Sequence, residues 1–246
     1  MELIVGNRTY SSWSMRSGVL LRWMKVGHRE RRLSLSFDPA SAFKTDIAKY
    51  SNMGTVPILV VPMTDERDTP PVVLGDSYII MEYLAETFPE KGVWPQDPHL
   101  RAIARNMCAE MHAGFSALRS ACPMNIGVDQ SEVGQIIWRD RDDVRQDVTR
   151  IENIWAHALS LSKGAFPCGD FSGVDTYFEP VVMRLKFFGL PINTETAAYM
   201  EAIFEHEAVK SWIKDALKED EFLAFDEPYR IDKNANLTQK NETISL

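Results

Sequence analysis

Three short segments hold the side chains that could do chemistry: Tyr10-Ser11-Ser12-Trp13-Ser14-Met15-Arg16, Gly54-Thr55-Val56-Pro57-Ile58-Leu59 and Gly75-Asp76-Ser77. A serine hydroxyl at the start of a helix can cap free N–H groups, and it can equally donate to an anion held in the field of the helix end. Ser11, Ser12 and Ser14 are open to both uses. The residue before a proline is held extended, and a cis bond at Val56-Pro57 would turn main-chain groups toward an extended, peptide-like ligand. A trans proline there would simply start an edge strand. Asp76 and Ser77 stand where a helix begins, where they serve as caps or help a helix N-terminus bind a carboxylate.

Other chemistries lack their residues. The five histidines are scattered, without an H-x-x-x-H pair or neighbouring cysteines, so no metal is expected. No C-x-x-C occurs, which counts against disulfide exchange, and no glycine-rich phosphate loop is present. With 27 Lys+Arg against 35 Asp+Glu the chain carries a net charge of −8, which argues against nucleic acid as a partner. Three widely spaced cysteines, Cys108, Cys122 and Cys168, fit reduced thiols and a cytoplasmic location, where the sequons at Asn7, Asn236 and Asn241 have no glycosylation meaning. The apolar run at residues 3–5 is too short for a secretory signal. No stretch approaches the ~20 apolar residues that would span a membrane.

The elements that must position these residues fall into two halves. At about 150 residues per domain, 246 residues make one large or two modest domains. Residues 3–5 read as a strand, 14–26 as a helix, 31–37 as an alternating strand and 41–50 as a helix. Residues 58–61 and 72–74 read as a hairpin around a turn at 64–70, followed by a capped helix at 76–88. The pattern is βαβαββα, a thioredoxin-like domain over residues 1–88. Three prolines and a glycine make 89–99 a linker. Residues 100–225 read as an all-α helical bundle, with helices at 101–124, around 144–159, at 173–188 and at 194–217. The fold class is therefore α+β. The polar stretch 226–246 predicts a loosely held tail.

The order and spacing of the three segments resemble the soluble, cytosolic-type glutathione S-transferase family, in its serine-type, bacterial-like form, over about residues 1–220. The resemblance implies that Ser11, five residues before Arg16, faces the sulfur of glutathione, with Ser12 the second choice. It implies that Val56 and Pro57 form a cis-proline main-chain site, and that Ser77 takes the γ-glutamyl carboxylate while Asp76 pairs with the ammonium. Arg16 reads more simply as a helix-surface residue. The family's usual Lys before the Val-Pro pair is Thr55 here, leaving Lys44, Lys49 or Arg8 as substitutes near the glycyl carboxylate. Ser172 and Asp175 resemble the family's capping box, a structural role. Met107, Met111, Phe115 and His112 could line an apolar second site, though such a stripe reads first as core. The mixed charges at 139–150 read as a solvated helix face.

The chemistry implied is modest in energy. Lowering a thiol pKa from near 8.5 by about two units requires ~2.7 kcal/mol of selective thiolate stabilisation. A hydrogen bond to a charged group supplies ~1.5–3 kcal/mol and a helix N-terminus ~0.3–1 kcal/mol, so no general base is needed. The expected protein is a homodimeric transferase that uses glutathione as co-substrate against a small hydrophobic electrophile. Peroxidase or isomerase activity on the same thiolate belongs to the same class. The rival expectation is a non-catalytic binding or regulatory module on the same fold.

Overall fold

The computed structural model describes residues 1–62, 69–162 and 164–232. Most of the expected turn at 64–70 lies outside the described residues, as do Asn236 and Asn241. Strand β1 (Glu2–Val5) leads into α1 (Ser12–Met24), β2 (Arg29–Arg32), α2 (Ala42–Ile47), β3 (Ile58–Val61), β4 (Val72–Leu74) and α3 (Ser77–Thr87). The sheet order is β2-β1-β3-β4. Strand β1 runs parallel to β2 and antiparallel to β3, and β4 pairs antiparallel with β3. This is a thioredoxin-like unit. A single 3₁₀ turn at Pro89–Lys91 leads to the helical part. There follow α4 (Pro98–Ala113), α5 (Ser116–Ala121), α6 (Ser131–Asp140), α7 (Asp142–Ser162), α8 (Gly173–Phe187), α9 (Thr194–Glu205) and α10 (Glu207–Ala216).

One apolar core joins the two parts, running from Leu3, Met15 and Val19 through Tyr177 and Phe178 to Trp212. Helix α1 lies at its centre. A Cβ on Gly18 would come within 2.0 Å of the Trp212 ring, so α1 and α10 approach as closely as a glycine permits. The Trp212 indole donates to the Arg8 carbonyl at 3.3 Å, and Thr9 Oγ1 donates to the Ala216 carbonyl at 3.1 Å. The loop that delivers Ser11 is therefore fixed from the far end of the chain. Ser172 and Asp175 do form a capping box on α8, and Tyr199 also donates to Asp175 at 2.9 Å.

The structure corrects several expected elements. The strand expected at 31–37 is β2 at Arg29–Arg32, a charged edge with no apolar period to mark it. Beyond it Leu33 N still bonds the Val5 carbonyl at 2.8 Å, but Leu35 N bonds the Asn7 side chain at 2.7 Å and Phe37 is exposed. The helix expected at 101–124 breaks at Gly114-Phe115, where Phe115 has φ 57°. A left-handed residue costs roughly 1–2 kcal/mol, which burying the Phe115 ring, at about 1.5–3 kcal/mol, offsets. The helix expected at 194–217 breaks at His206, whose ring stacks on Phe171 at 3.6 Å. Residues 226–232, expected to be loose, are held: Glu227 accepts from Tyr10 at 2.6 Å and pairs with Arg230 at 2.9 Å, and Tyr229 donates to the Ala121 carbonyl at 2.8 Å.

Candidate active site

Ser11 caps α1, its Oγ accepting from Ser14 N at 3.4 Å and donating to Ser14 Oγ at 2.8 Å. Ser14 Oγ also accepts from Gly6 N at 3.0 Å, so the start of α1 is tied to the end of β1 through two hydroxyls. Ser11 and Ser12 open onto a 390 Å³ cavity whose other walls include Lys44 and Val56 and, from the helical part, Arg119 and Arg184. A second cavity of 200 Å³ is lined by Val56, Pro57, Asp76, Ser77 and His112. Trp13, Thr55 and Val56 border both, so the two adjoin. The Val56–Pro57 bond is cis. Ser11, Val56, Pro57, Asp76 and Ser77, read from distant stretches of sequence, thus line one bipartite cleft.

Asp76 caps α3, accepting from Tyr78 N at 2.7 Å and Ile79 N at 3.3 Å. Its second oxygen faces His112 Nε2 at 3.7 Å. With that nitrogen carrying the proton toward Asp76, His112 Nδ1 accepts from the Tyr177 hydroxyl at 2.6 Å, and Tyr177 in turn lies 3.4 Å from Ser77 Oγ. Asp76, His112, Tyr177 and Ser77 form a closed polar circuit around the N-terminus of α3. Burial pushes the Tyr177 hydroxyl up to about 12, so it stays a donor.

Arg16 is not on the helix surface. It is 2% exposed, donates to the Tyr177 carbonyl at 3.0 Å, and sits 4.2 Å from the Trp13 ring and 4.3 Å from the Tyr177 ring. Burial lowers its pKa to about 10, leaving it charged at neutral pH as a cation between two aromatic faces. Arg119 lies 5.0 Å from the Trp13 ring. Of the three residues suggested as replacements for the missing Lys, only Lys44 lines the cleft. Lys49 pairs with Asp46, and Arg8 is engaged by Glu30 and Glu219. Met107, Met111 and Phe115 are buried in the core, whereas His112 reaches the cleft.

Sequence reasoning overlooked Trp13, Tyr177, Arg119 and Arg184. Only the position of Trp13 between the serines carried a local signal. The chain's own cysteines offer no nucleophile: burial pushes the Cys122 and Cys168 thiols to about 12 and Cys108 well above its ordinary value. Among the described residues no group of three or more His, Cys, Asp or Glu side chains could hold a metal ion. None of their helices is long and apolar enough to cross a membrane.

Residues 10–87 match the family model for the N-terminal domain of glutathione S-transferases. Over 187 residues the chain is 24% identical to a maleylacetoacetate isomerase of Rattus norvegicus, a match covering 76% of this chain and 78% of that protein. Residues 10–87 are thus those of a glutathione S-transferase N-terminal domain. It is also 25% identical over 182 residues to a stringent starvation protein A homolog of Coxiella burnetii, covering 71% of this chain and 76% of that one. In three dimensions it is similar to a glutathione transferase homolog from Burkholderia gl BGR1 with bound glutathione. The TM-score is 0.60 at 21% identity, over 89% of this chain and 98% of that structure. The glutathione S-transferase fold accounts for the cleft's position between the thioredoxin-like unit and the helices packed against it.

Proposed function

We propose that the protein is a glutathione transferase that activates the glutathione thiol for attack on an electrophile. Glutathione lies across both parts of the cleft. Its γ-glutamyl carboxylate meets Ser77 and the N–H groups opening α3, and its ammonium meets Asp76. Its main chain pairs with Val56 ahead of Pro57, and its sulfur reaches Ser11. The observation that supports this reading is the union, in one cleft, of the α1 cap with the α3 cap and the Val56-Pro57 turn.

The hydroxyl pair explains how Ser11 can serve. Hydroxyl hydrogens rotate to suit their partners. When Ser14 donates to Ser11 Oγ, Ser14 remains an acceptor for Gly6 N–H, and the Ser11 hydrogen is free to donate to sulfur. Aligned donors of this kind polarise one another, strengthening the last bond to the thiolate. Proximity does the rest, since a bound thiolate beside a bound electrophile reacts as one molecule. Addition, substitution and isomerisation through a reversible sulfur adduct all begin from this anion.

Ser11→Ala is expected to abolish the ultraviolet absorbance of bound thiolate at neutral pH while glutathione still binds. An unchanged thiol titration transfers the role to Ser12. The rival reading, a binding module without turnover, rests on Thr55 in place of the family's Lys. It is tested by glutathione-agarose retention followed by turnover of aryl halides, isothiocyanates and hydroperoxides: retention with no turnover favours the module. The transferase reading takes the protein as a cytoplasmic homodimer, and sedimentation of the purified protein tests the dimer.

A further inference from the structure

The larger part of the cleft is unusual for a site expected to take an uncharged hydrophobic molecule. Lys44, Arg119 and Arg184 line it with a single acid, Asp226, although the chain as a whole carries a charge of −8. Arg184 is only 6% exposed, its Nη1 donates to the Pro180 carbonyl at 3.1 Å, and its Nε has no partner among the described residues. Among the described residues Arg119 donates only to the carbonyls of His112 and Gly114, at 3.4 and 3.3 Å. Main-chain carbonyls fix the two guanidiniums, and Asp226 is the one cleft carboxylate whose charge acts on Arg184, so the cations remain in excess. A buried guanidinium left short of acceptors is costly, and a planar carboxylate is the partner whose geometry it fits. Phe37, Phe43, Met124 and Phe225 supply apolar wall beside the two arginines.

We propose that the second substrate carries a carboxylate, held by Arg184 and Arg119, with its apolar, electrophilic portion against the neighbouring aromatic walls near Ser11. The inference rests on the transferase reading for the position of the sulfur. Charge complementarity then does what shape alone cannot: it orients an otherwise greasy molecule so that one end is anchored and the other meets the thiolate.

Isothermal titration of para-nitrobenzoate and its methyl ester into the glutathione-loaded protein separates the charge from the ring. The acid is expected to bind at least about tenfold more tightly than the ester. Arg184→Met and Arg119→Met should each remove most of that difference, and Arg184→Lys should restore part of it. Arg119 is the less buried of the two, so its variant keeps the test valid if Arg184→Met fails to fold. Equal affinity for acid and ester in the parent protein overturns the proposal, as does a preference surviving in a folded Arg119→Met variant. If the arginines instead held the glycyl carboxylate of glutathione, the variants would lose glutathione affinity and the two probes would bind the parent equally. Failure of the transferase reading looks different: glutathione itself would not bind, while the comparison of acid and ester remains readable in its absence.

Discussion

Ser77 is 2% exposed and lies at the first turn of α3, with Tyr177 3.4 Å away as its hydrogen-bond partner. On the proposed reading its hydroxyl and the adjacent N–H groups meet a carboxylate. Ser77→Ala should weaken glutathione binding by about 1–3 kcal/mol, the cost of leaving a charged acceptor short of a donor. Calorimetric titration measures this, and equal affinity for variant and parent contradicts the assignment. Ser14→Ala should raise the bound thiol pKa by less than Ser11→Ala does, because it removes only the hydroxyl behind the donor. A spectroscopic titration that ranks the two the other way refutes the chain of hydroxyls. Ser11, Asp76 and Ser77 were legible in the sequence because capping has a local signature: a short polar side chain just before an apolar helix. Arg16 was misread, since its spacing says nothing of the two rings that enclose it. Arg119 and Arg184 were illegible, because they reach the cleft only through the fold of the helical part.

Elements succeed or fail as sequence signals by the same measure. Strands β1 and β3 are short apolar runs and α3 carries its own cap, so their positions were readable. The breaks at Phe115 and His206 were not, because the first depends on burying the Phe115 ring and the second on the stack of His206 with Phe171, neither of which a periodic helix pattern shows. The close approach of α1 and α10 is also silent in the sequence. Replacing a helical glycine by alanine ordinarily gains about 0.8–1.0 kcal/mol in helix propensity. At Gly18 the new methyl would fall 2.0 Å from a Trp212 ring that is fully buried, in a core that cannot yield. Overpacking costs typically about 1–3 kcal/mol, so Gly18→Ala should destabilise the protein despite the better propensity. Urea unfolding decides it, and an unchanged or raised midpoint would mean that α10 can retreat from α1. The same contact bears on the site, since α10 holds the loop before Ser11 through Trp212 and Thr9.

The whole molecule carries an electrostatic burden in α8, the helix that also supplies Tyr177, Asp175 and Arg184. Glu179 is fully buried, and neither of its side-chain oxygens has a hydrogen-bond partner among the described residues. Burial first, and the neighbouring Asp175 second, push its carboxyl well above its ordinary value. Burial likewise raises Asp175 to about 7 and Asp226 to about 6. A carboxyl whose pKa is raised on folding is bound to its proton more tightly in the folded chain. Its favourable contribution is therefore complete below the unfolded value, near 4, and is lost as the pH rises toward the folded one. Lowered groups act oppositely: His206, depressed by burial, costs stability as the pH falls below its ordinary range. Comparing a variant with its parent isolates one carboxyl from the others. Glu179→Gln keeps the shape and removes the charge, so it should stabilise the protein more at pH ~8 than at pH ~5, by ~1.4 kcal/mol for each pKa unit separating the folded and unfolded carboxyl within that window. Urea midpoints at the two pH values measure the difference. A variant that is instead weakened more at the higher pH would mean that Glu179 is held in the fold as a compensated anion.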